Sequence, residues 1–243
     1  MKHGRRLLSR PGRAMGFFKD LMAFRRDDHS GQLSLKWRDL YPCLDDAVNK
    51  QTFDRHYLFH TAWAARILAS TTPDLHCDFG SDLRFVSMVS AFLPIRYFDY
   101  RSTLLGLSGL TEASCDLTAL PFADGALHSV SCMHVVEHVG LGRYGDPLRP
   151  DGDLQAMAEL GRVVVPGGDL LFVVPIGHPR IEFNAHRVYA VEMIIDQFPQ
   201  FDLKQFALIP DAPVDGGLVI DPSAQLLARQ VYGCGCFWLQ KKT

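Results

Sequence analysis

A chain of 243 residues, 47% of them hydrophobic, can bury one large α/β core with at most a small appendage. Its formal net charge of −2 does not indicate a broadly basic surface for nucleic acid, and leaves room only for a local patch. No apolar run approaches the length of a membrane span, and Leu7-Leu8 is far too short for a signal-peptide core, so the chain is expected to be soluble and cytoplasmic.

Residues 1–45 carry many charges and weak periodicity, and they read as an N-terminal extension with one or two short helices. The cluster Lys2, Arg5, Arg6, Arg10 and Arg13 is a solvated tail or a surface contact. The second domain is taken as 46–243. From Phe53 an Ala-rich amphipathic pattern predicts a helix that Thr72-Pro73 terminates. Strands are then predicted over 75–79, 95–100, 112–116, 127–134, 169–175, 202–209 and 232–240. Helices are expected over 83–92, 153–164 and 189–198, the second with an aspartate at its N-cap and its end near Pro166-Gly167-Gly168. The early strands are continuous apolar runs, as strands covered on both faces are. Their alternation with helices argues right-handed crossovers. The last two strands lack a long helix between them and read as an antiparallel hairpin at the sheet edge. The fold class is therefore α/β: a Rossmann-like, doubly wound, mostly parallel seven-stranded sheet with an antiparallel C-terminal edge hairpin.

Of the six cysteines, Cys77, Cys115 and Cys132 lie in apolar strands and read as small hydrophobes. Cys234-x-Cys236 has the wrong spacing for a zinc knuckle or a redox pair, and both side chains share one strand face, which makes them core residues.

Doubly wound sheets bind ligands at the carboxyl ends of their strands. Leu75-His76-Cys77-Asp78-Phe79-Gly80-Ser81 is a strand stopping at a glycine before a helix, which lets backbone approach a ligand. Asp99 closes the second predicted strand, at the separation from Asp78 expected when an acid reads ribose hydroxyls. Asp116-Leu117 closes the third, where a carboxylate can accept from an exocyclic amine. Each acid alone is an ordinary turn residue; three in register point to a nucleotide-like ligand.

These residues, with Leu120-Pro121-Phe122, Ser131-x-x-His134-Val135-x-Glu137-His138 and Glu159-Leu160-x-Arg162-Val163-x-x-Pro166-Gly167-Gly168, resemble the class I S-adenosylmethionine-dependent methyltransferases over roughly 53–241. The likeness is nearest to their small-molecule branch, and there to a bacterial-type domain family of unknown function. It implies S-adenosylmethionine as cofactor. Asp78, Gly80 and Ser81 would lie by its methionine part, Asp99 at the ribose, Asp116 and Leu117 at adenine, Tyr100 stacked beside the adenine, and His134 between methionine and substrate. The sequence departs from the family's Gly-x-Gly-x-Gly loop, because Asp82 and Arg84 stand at the second and third glycines. That predicts a looser turn with side chains crowding the ligand; Arg84 either pairs with the methionine carboxylate or blocks the pocket.

His134, Glu137, His138, His178 and His186 are the candidate general bases. His134-Val135-Val136-Glu137-His138 also matches the inverted zinc-protease pattern H-x-x-E-H. Its context disfavours a metal, since His134 closes a predicted strand and glycines follow at once, so no metal ligand is assigned. Gly140 to Pro147 reads as a lid or a plain surface loop. His56, Tyr57 and His60 close the pocket from above, or Tyr57 packs in the core with both histidines exposed. No Asn/Asp-Pro-Pro-Tyr follows the fourth strand, which weakens methylation of nucleic-acid amines. The leading expectation is methyl transfer to a small-molecule or carbohydrate-linked acceptor. The alternatives are a non-catalytic nucleotide or S-adenosylmethionine binder and a metal-dependent hydrolase.

Overall fold

The computed structural model describes residues 11–30, 32–47, 52–101, 104–214 and 216–243, which fall into two compact units parting between Phe53 and Asp54. Lys2, Arg5, Arg6 and Arg10 lie outside the described residues. In the first unit, α1 (Pro11–Asp27) is followed by a 3-10 turn at Trp37–Asp39. The Arg25 guanidinium sits 5.2 Å from the Trp37 ring, and Arg13 pairs with Asp45.

The second unit begins with α2 (Arg55–Thr71), whose Asp54 cap accepts from the Tyr57 amide and whose end is a left-handed Thr72. Then follow β1 (His76–Phe79), α3 (Leu83–Val89), β2 (Ile95–Asp99), β3 (Leu110–Ser114) and β4 (Leu127–Met133). After α4 (Gly152–Val163) come β5 (Val164–Ile176), a small hairpin of β6 (Arg180–Glu182) and β7 (His186–Val188), and α5 (Val191–Gln197). The chain closes with β8 (Phe201–Ile209), β9 (Val219–Ile220), α6 (Ala224–Leu227) and β10 (Gly233–Lys241). The main sheet runs β3-β2-β1-β4-β5-β10-β8-β9. The first five strands are parallel, and β10 is antiparallel to both β5 and β8. The antiparallel hairpin is thus present, but two-residue β9 pairs with Ala207 and Leu208 and makes an eighth strand.

Both faces of the sheet are covered. Trp63, Ile67 and Leu68 of α2 and Phe85 and Val86 of α3 pack on one side. Met157 and Leu160 of α4 and Ile194 and Phe198 pack on the other, around Phe172. Burying each large apolar side chain of this kind contributes about 1.5–3 kcal/mol, and this two-sided cover explains the continuous apolar runs of β1 and β5.

Among the predicted details that differ, three have a local reason. β3 starts and ends two residues earlier than its apolar pattern suggests, because left-handed Gly109 turns the chain straight into Leu110. Asp116 therefore stands in the turn beyond the strand. Pro166-Gly167-Gly168 lies inside β5 and does not terminate α4, whose C-cap is Val164. The pairing jumps there from Leu127↔Val164 to Ser129↔Asp169, so the segment bulges. Gly167 is left-handed at φ 76°, and a Cβ on Gly168 would come within 2.9 Å of the His128 carbonyl. Finally, Asp151 holds the N-cap position of α4 but caps no amide; it accepts from the Gln155 side chain.

Candidate functional site

A pocket of about 550 Å³ opens at the carboxyl ends of β1, β2 and β4, the size of an ordinary small-molecule site. Its floor is the turn after β1. Gly80 is left-handed at φ 74°, and a Cβ there would lie 3.0 Å from Val135 Cγ1, so only glycine fits without strain. Ser81 follows, and its hydroxyl accepts from the Met133 amide at 3.2 Å.

Asp78 does not line the pocket. Its side chain is wholly buried, accepting from the Ser81 amide at 3.0 Å and from the Ser131 hydroxyl. Burial lifts its pKa to about 6. It fixes the loop from behind rather than touching a ligand in front.

Of the residues at the missing glycines, Asp82 lines the cavity and Arg84 does not. Asp82 is the N-cap of α3 and accepts from the Arg84 amide. The Arg84 guanidinium folds back onto Asp82 at 2.7 Å and is 79% exposed. Arg84 is not in the pocket wall, so it neither blocks it nor waits there for a carboxylate.

Asp99, at the end of β2, does face the cavity. Its Oδ2 accepts from the Tyr97 hydroxyl at 3.0 Å and its Oδ1 from the Arg101 amide at 2.7 Å. A carboxylate offers about four lone-pair sites, which leaves two for ligand hydroxyls. Tyr100 stands next to it with its ring half exposed. Asp116 and Leu117 also line the pocket. One Asp116 oxygen is occupied by the Thr118 amide and hydroxyl, at 2.8 and 2.7 Å.

The loop that carries the Leu-Pro-Phe segment is clamped by α4. Arg162 donates to the carbonyls of Phe122 (2.7 Å) and Leu120 (3.2 Å), while Glu159 accepts from the Leu120 amide at 2.7 Å. The two motifs that appear separately in sequence are thus one hydrogen-bonded unit.

The far wall is aromatic and imidazole-rich. His134 follows β4 in a left-handed conformation, φ 58°. Its Nδ1 lies 2.9 Å from Glu137 Oε1, and both side chains are buried. Burial pushes Glu137 up to about 7 and His134 down to about 4. Glu137 does not reach the cavity. His138 does; its Nδ1–H donates to the Ala185 carbonyl at 2.6 Å, which leaves Nε2 as the proton acceptor.

His56, Tyr57 and His60 of α2 gather against the His134 ring, with centroids 5.6, 5.5 and 5.1 Å away. Tyr57 lines the pocket and His60 is fully buried, the opposite of the core-Tyr57, exposed-histidine alternative. His178 is exposed and outside the pocket, so the loop after β5 does not converge on it. His186 sits on β7 and caps no helix. Its ring lies 6.4 Å from that of His138 and 4.8 Å from that of Tyr232.

The Gly140–Pro147 segment, a lid or a plain surface loop by sequence, lines the pocket through Tyr144 and Asp146. Tyr144, in the Gly140–Pro147 loop, has the Arg101 and Arg143 guanidinium groups 4.5 and 5.1 Å from its ring. Arg187, nearly fully buried, donates to the carbonyls of Val139 and Pro150 and so pins both ends of that loop. Cys115 reaches the pocket wall, while Cys77, Cys132, Cys234 and Cys236 are buried as expected.

A family model described as "Caenorhabditis protein of unknown function, DUF268" matches residues 122–204. No curated protein matches the chain. Among solved structures, the N-methyltransferase NodS from Bradyrhizobium japonicum, in complex with S-adenosylhomocysteine, is similar at TM-score 0.56 and 14% identity, over 85% of this chain and 92% of that one. The 1,6-didemethyltoxoflavin-N1-methyltransferase of Burkholderia thailandensis is similar at TM-score 0.51 and 11% identity, over 76% of this chain and 79% of that one. The [4+2]-cyclase SpnF is similar at TM-score 0.52 and 12% identity, over 75% and 82%. The chain has the fold of the class I S-adenosylmethionine-dependent methyltransferases. Among the described residues, no helix is long and apolar enough to cross a membrane.

Proposed function

We propose that this chain binds S-adenosylmethionine in the pocket above β1, β2 and β4 and transfers its methyl group to a small-molecule or carbohydrate-linked acceptor. The observation that carries the reading is the alignment of Gly80, Asp99, Asp116 and His138 around one cavity at the strand ends. The cavity suits the cofactor. Gly80 is a cradle that any Cβ would fill, and Asp99 keeps two acceptor sites for vicinal hydroxyls. Asp116 keeps its second carboxylate oxygen for an exocyclic amine, with Leu117 against the ring face.

When bound, the cofactor supplies a methyl group on a positively charged sulfur. The protein's own work is then chiefly positioning. Tyr57 and Tyr144 wall the cavity on the acceptor side. His138 Nε2 takes the proton from an acceptor hydroxyl or amine, since Ala185 holds the opposite nitrogen protonated. His134 stands in the wall itself, and Glu137 acts one layer back by holding its ring. His178 and His186 are not needed for this chemistry.

The test is calorimetric titration of the full chain with S-adenosylmethionine and S-adenosylhomocysteine. Binding is expected, weakened at least about tenfold in Asp99→Ala. A folded protein that binds neither at about 1 mM sinks the proposal. The likeness to a cyclase favours keeping a second reading, because one fold hosts several chemistries. A chain that binds both nucleosides yet methylates nothing in an acceptor panel of sugars, amines and phenols is a binder or runs another reaction in the same pocket.

A further inference from the structure

A buried donor cluster lies behind the His134 wall of the pocket. One ring nitrogen each of His56 and His134 and the Cys234 sulfur lie within 4.8 Å of one another, drawn from α2, the turn after β4 and β10. Cys234 is fully buried, and its sulfur also lies 3.9 Å from that of Cys236. His134 is 93% buried (7% exposed), and its Nε2 has no hydrogen-bond partner. An orphaned buried ring nitrogen is uncommon and calls for a bound species.

We propose that His56, His134 and Cys234 bind a zinc ion, with a fourth coordination position left for water or a substrate heteroatom. Two imidazoles and a thiolate are the donor set that a borderline-soft divalent ion prefers. Glu137 Oε1 at 2.9 Å from His134 Nδ1 is the outer-shell carboxylate that such histidines characteristically have. Its hydrogen bond places the His134 lone pair on Nε2, the atom left orphaned. Tetrahedral zinc needs donors about 3.3–3.7 Å apart, so the cluster closes by little more than about 1 Å on binding. His56 can supply that movement, because it is only half-buried, on the first turn of α2. Binding displaces one proton from the Cys234 thiol to solvent. The ligand set differs from the H-x-x-E-H pairing of His134 with His138, since His138 is not in the cluster. The proposal stands independently of the methyl-transfer reading.

The experiment uses the untagged full chain, stripped with a chelator and checked by circular dichroism, then titrated with cobalt and back-titrated with zinc. One equivalent of cobalt is expected, with a thiolate-to-cobalt charge-transfer band that zinc abolishes. Cys234→Ser is expected to lose the band, His56→Ala to weaken binding at least about tenfold, and Glu137→Gln to weaken it about tenfold. Cys236→Ser and His138→Ala are expected to keep the band. A folded wild-type chain that takes up neither ion overturns the proposal. So does stoichiometric binding without a thiolate band, or binding lost in His138→Ala but intact in Cys234→Ser. Nucleoside titrations on the same samples keep the two readings apart, because loss of metal uptake with nucleoside binding retained counts against the zinc site alone.

Discussion

His76 and Asp78, two residues apart on β1, meet at a single hydroxyl, that of Ser131 on β4. Their side chains share a sheet face because strand side chains alternate. Ser131 spends its only proton on Asp78 Oδ2, so His76 Nε2–H must donate to Ser131 Oγ, at 2.8 Å. His76 Nδ1 then accepts from the Ser129 hydroxyl, also at 2.8 Å. The line ends at the Ser81 amide on the other Asp78 oxygen, so the loop after β1 is moored to the centre of the sheet by four polar side chains.

This line predicts an unusual pH profile. Burial lowers His76 from 6.5 to about 3, so its contribution to stability is full above pH 6.5 and is lost as pH falls toward 3. Burial raises Asp78 from 3.8 to about 6, so the folded state gains stability as pH falls through 6 toward 4. Between those limits the two slopes oppose one another. Asp78→Asn removes one of them. Its stability, relative to wild type, is expected to fall by ~3 kcal/mol from pH 7 to pH 4. Urea unfolding at several pH values measures this; parallel profiles for the two proteins would refute it.

Gly80→Ala tests the floor of the pocket. The substitution forces a side chain into φ 74° and sets its Cβ 3.0 Å from Val135 Cγ1. A cost of about 1–2 kcal/mol in stability is expected, together with a loss of nucleoside affinity larger than that of a surface control such as Arg84→Ala. Arg84 is a fair control because it turns away to Asp82. Equal affinities in the two variants would remove Gly80 from the site.

Arg162→Ala tests the clamp on the Leu120–Phe122 loop. It leaves the Phe122 carbonyl without this donor, the Leu120 carbonyl with only the Phe122 amide, and Glu159 with only the Leu120 amide. The cost is expected to be about 1–3 kcal/mol, with faster amide exchange confined to the loop around residues 116–124. Uniformly changed exchange across the sheet would show that the clamp is not local.

Much of this was legible in the sequence, because the fold is written in short-range patterns. Continuous apolar strands, the helix stop at Thr72-Pro73 and the strand-end acid Asp99 each depend on neighbours within a few residues. Asp78 is instructive in the other direction. Its motif position was clear, yet its inward orientation depends on Ser131, more than fifty residues away. The imidazole wall was harder still. His56, His134 and Cys234 come from the first helix of the domain, the fourth strand's end and the last strand, so spacing rules have nothing to act on. Arg84 misled because a residue type was read at a glycine position, whereas its rotamer is set by the adjacent cap Asp82. The small hairpin of β6 and β7 left no mark, being three residues a side with mixed exposure.

The loop that covers the pocket gives the last prediction. Tyr144 lines the cavity and holds its ring against Arg101, which directly follows the Asp99 turn, and against Arg143 on its own loop. Asp146 shapes the loop by accepting from the Gly140 and Tyr144 amides at 2.8 and 3.2 Å. The loop is therefore tied across the mouth to the turn after Asp99. Each cation–aromatic contact is worth about 0.5–1 kcal/mol at a partly exposed site, enough to bias closure but not to lock it. Tyr144→Ala is expected to raise the dissociation rate of S-adenosylhomocysteine about 3- to 10-fold while leaving stability nearly unchanged. Tyr144→Phe, which keeps the ring, is expected to behave like wild type. Stopped-flow displacement distinguishes the cases, and a Tyr144→Ala rate equal to wild type would show that the loop does not close over the ligand.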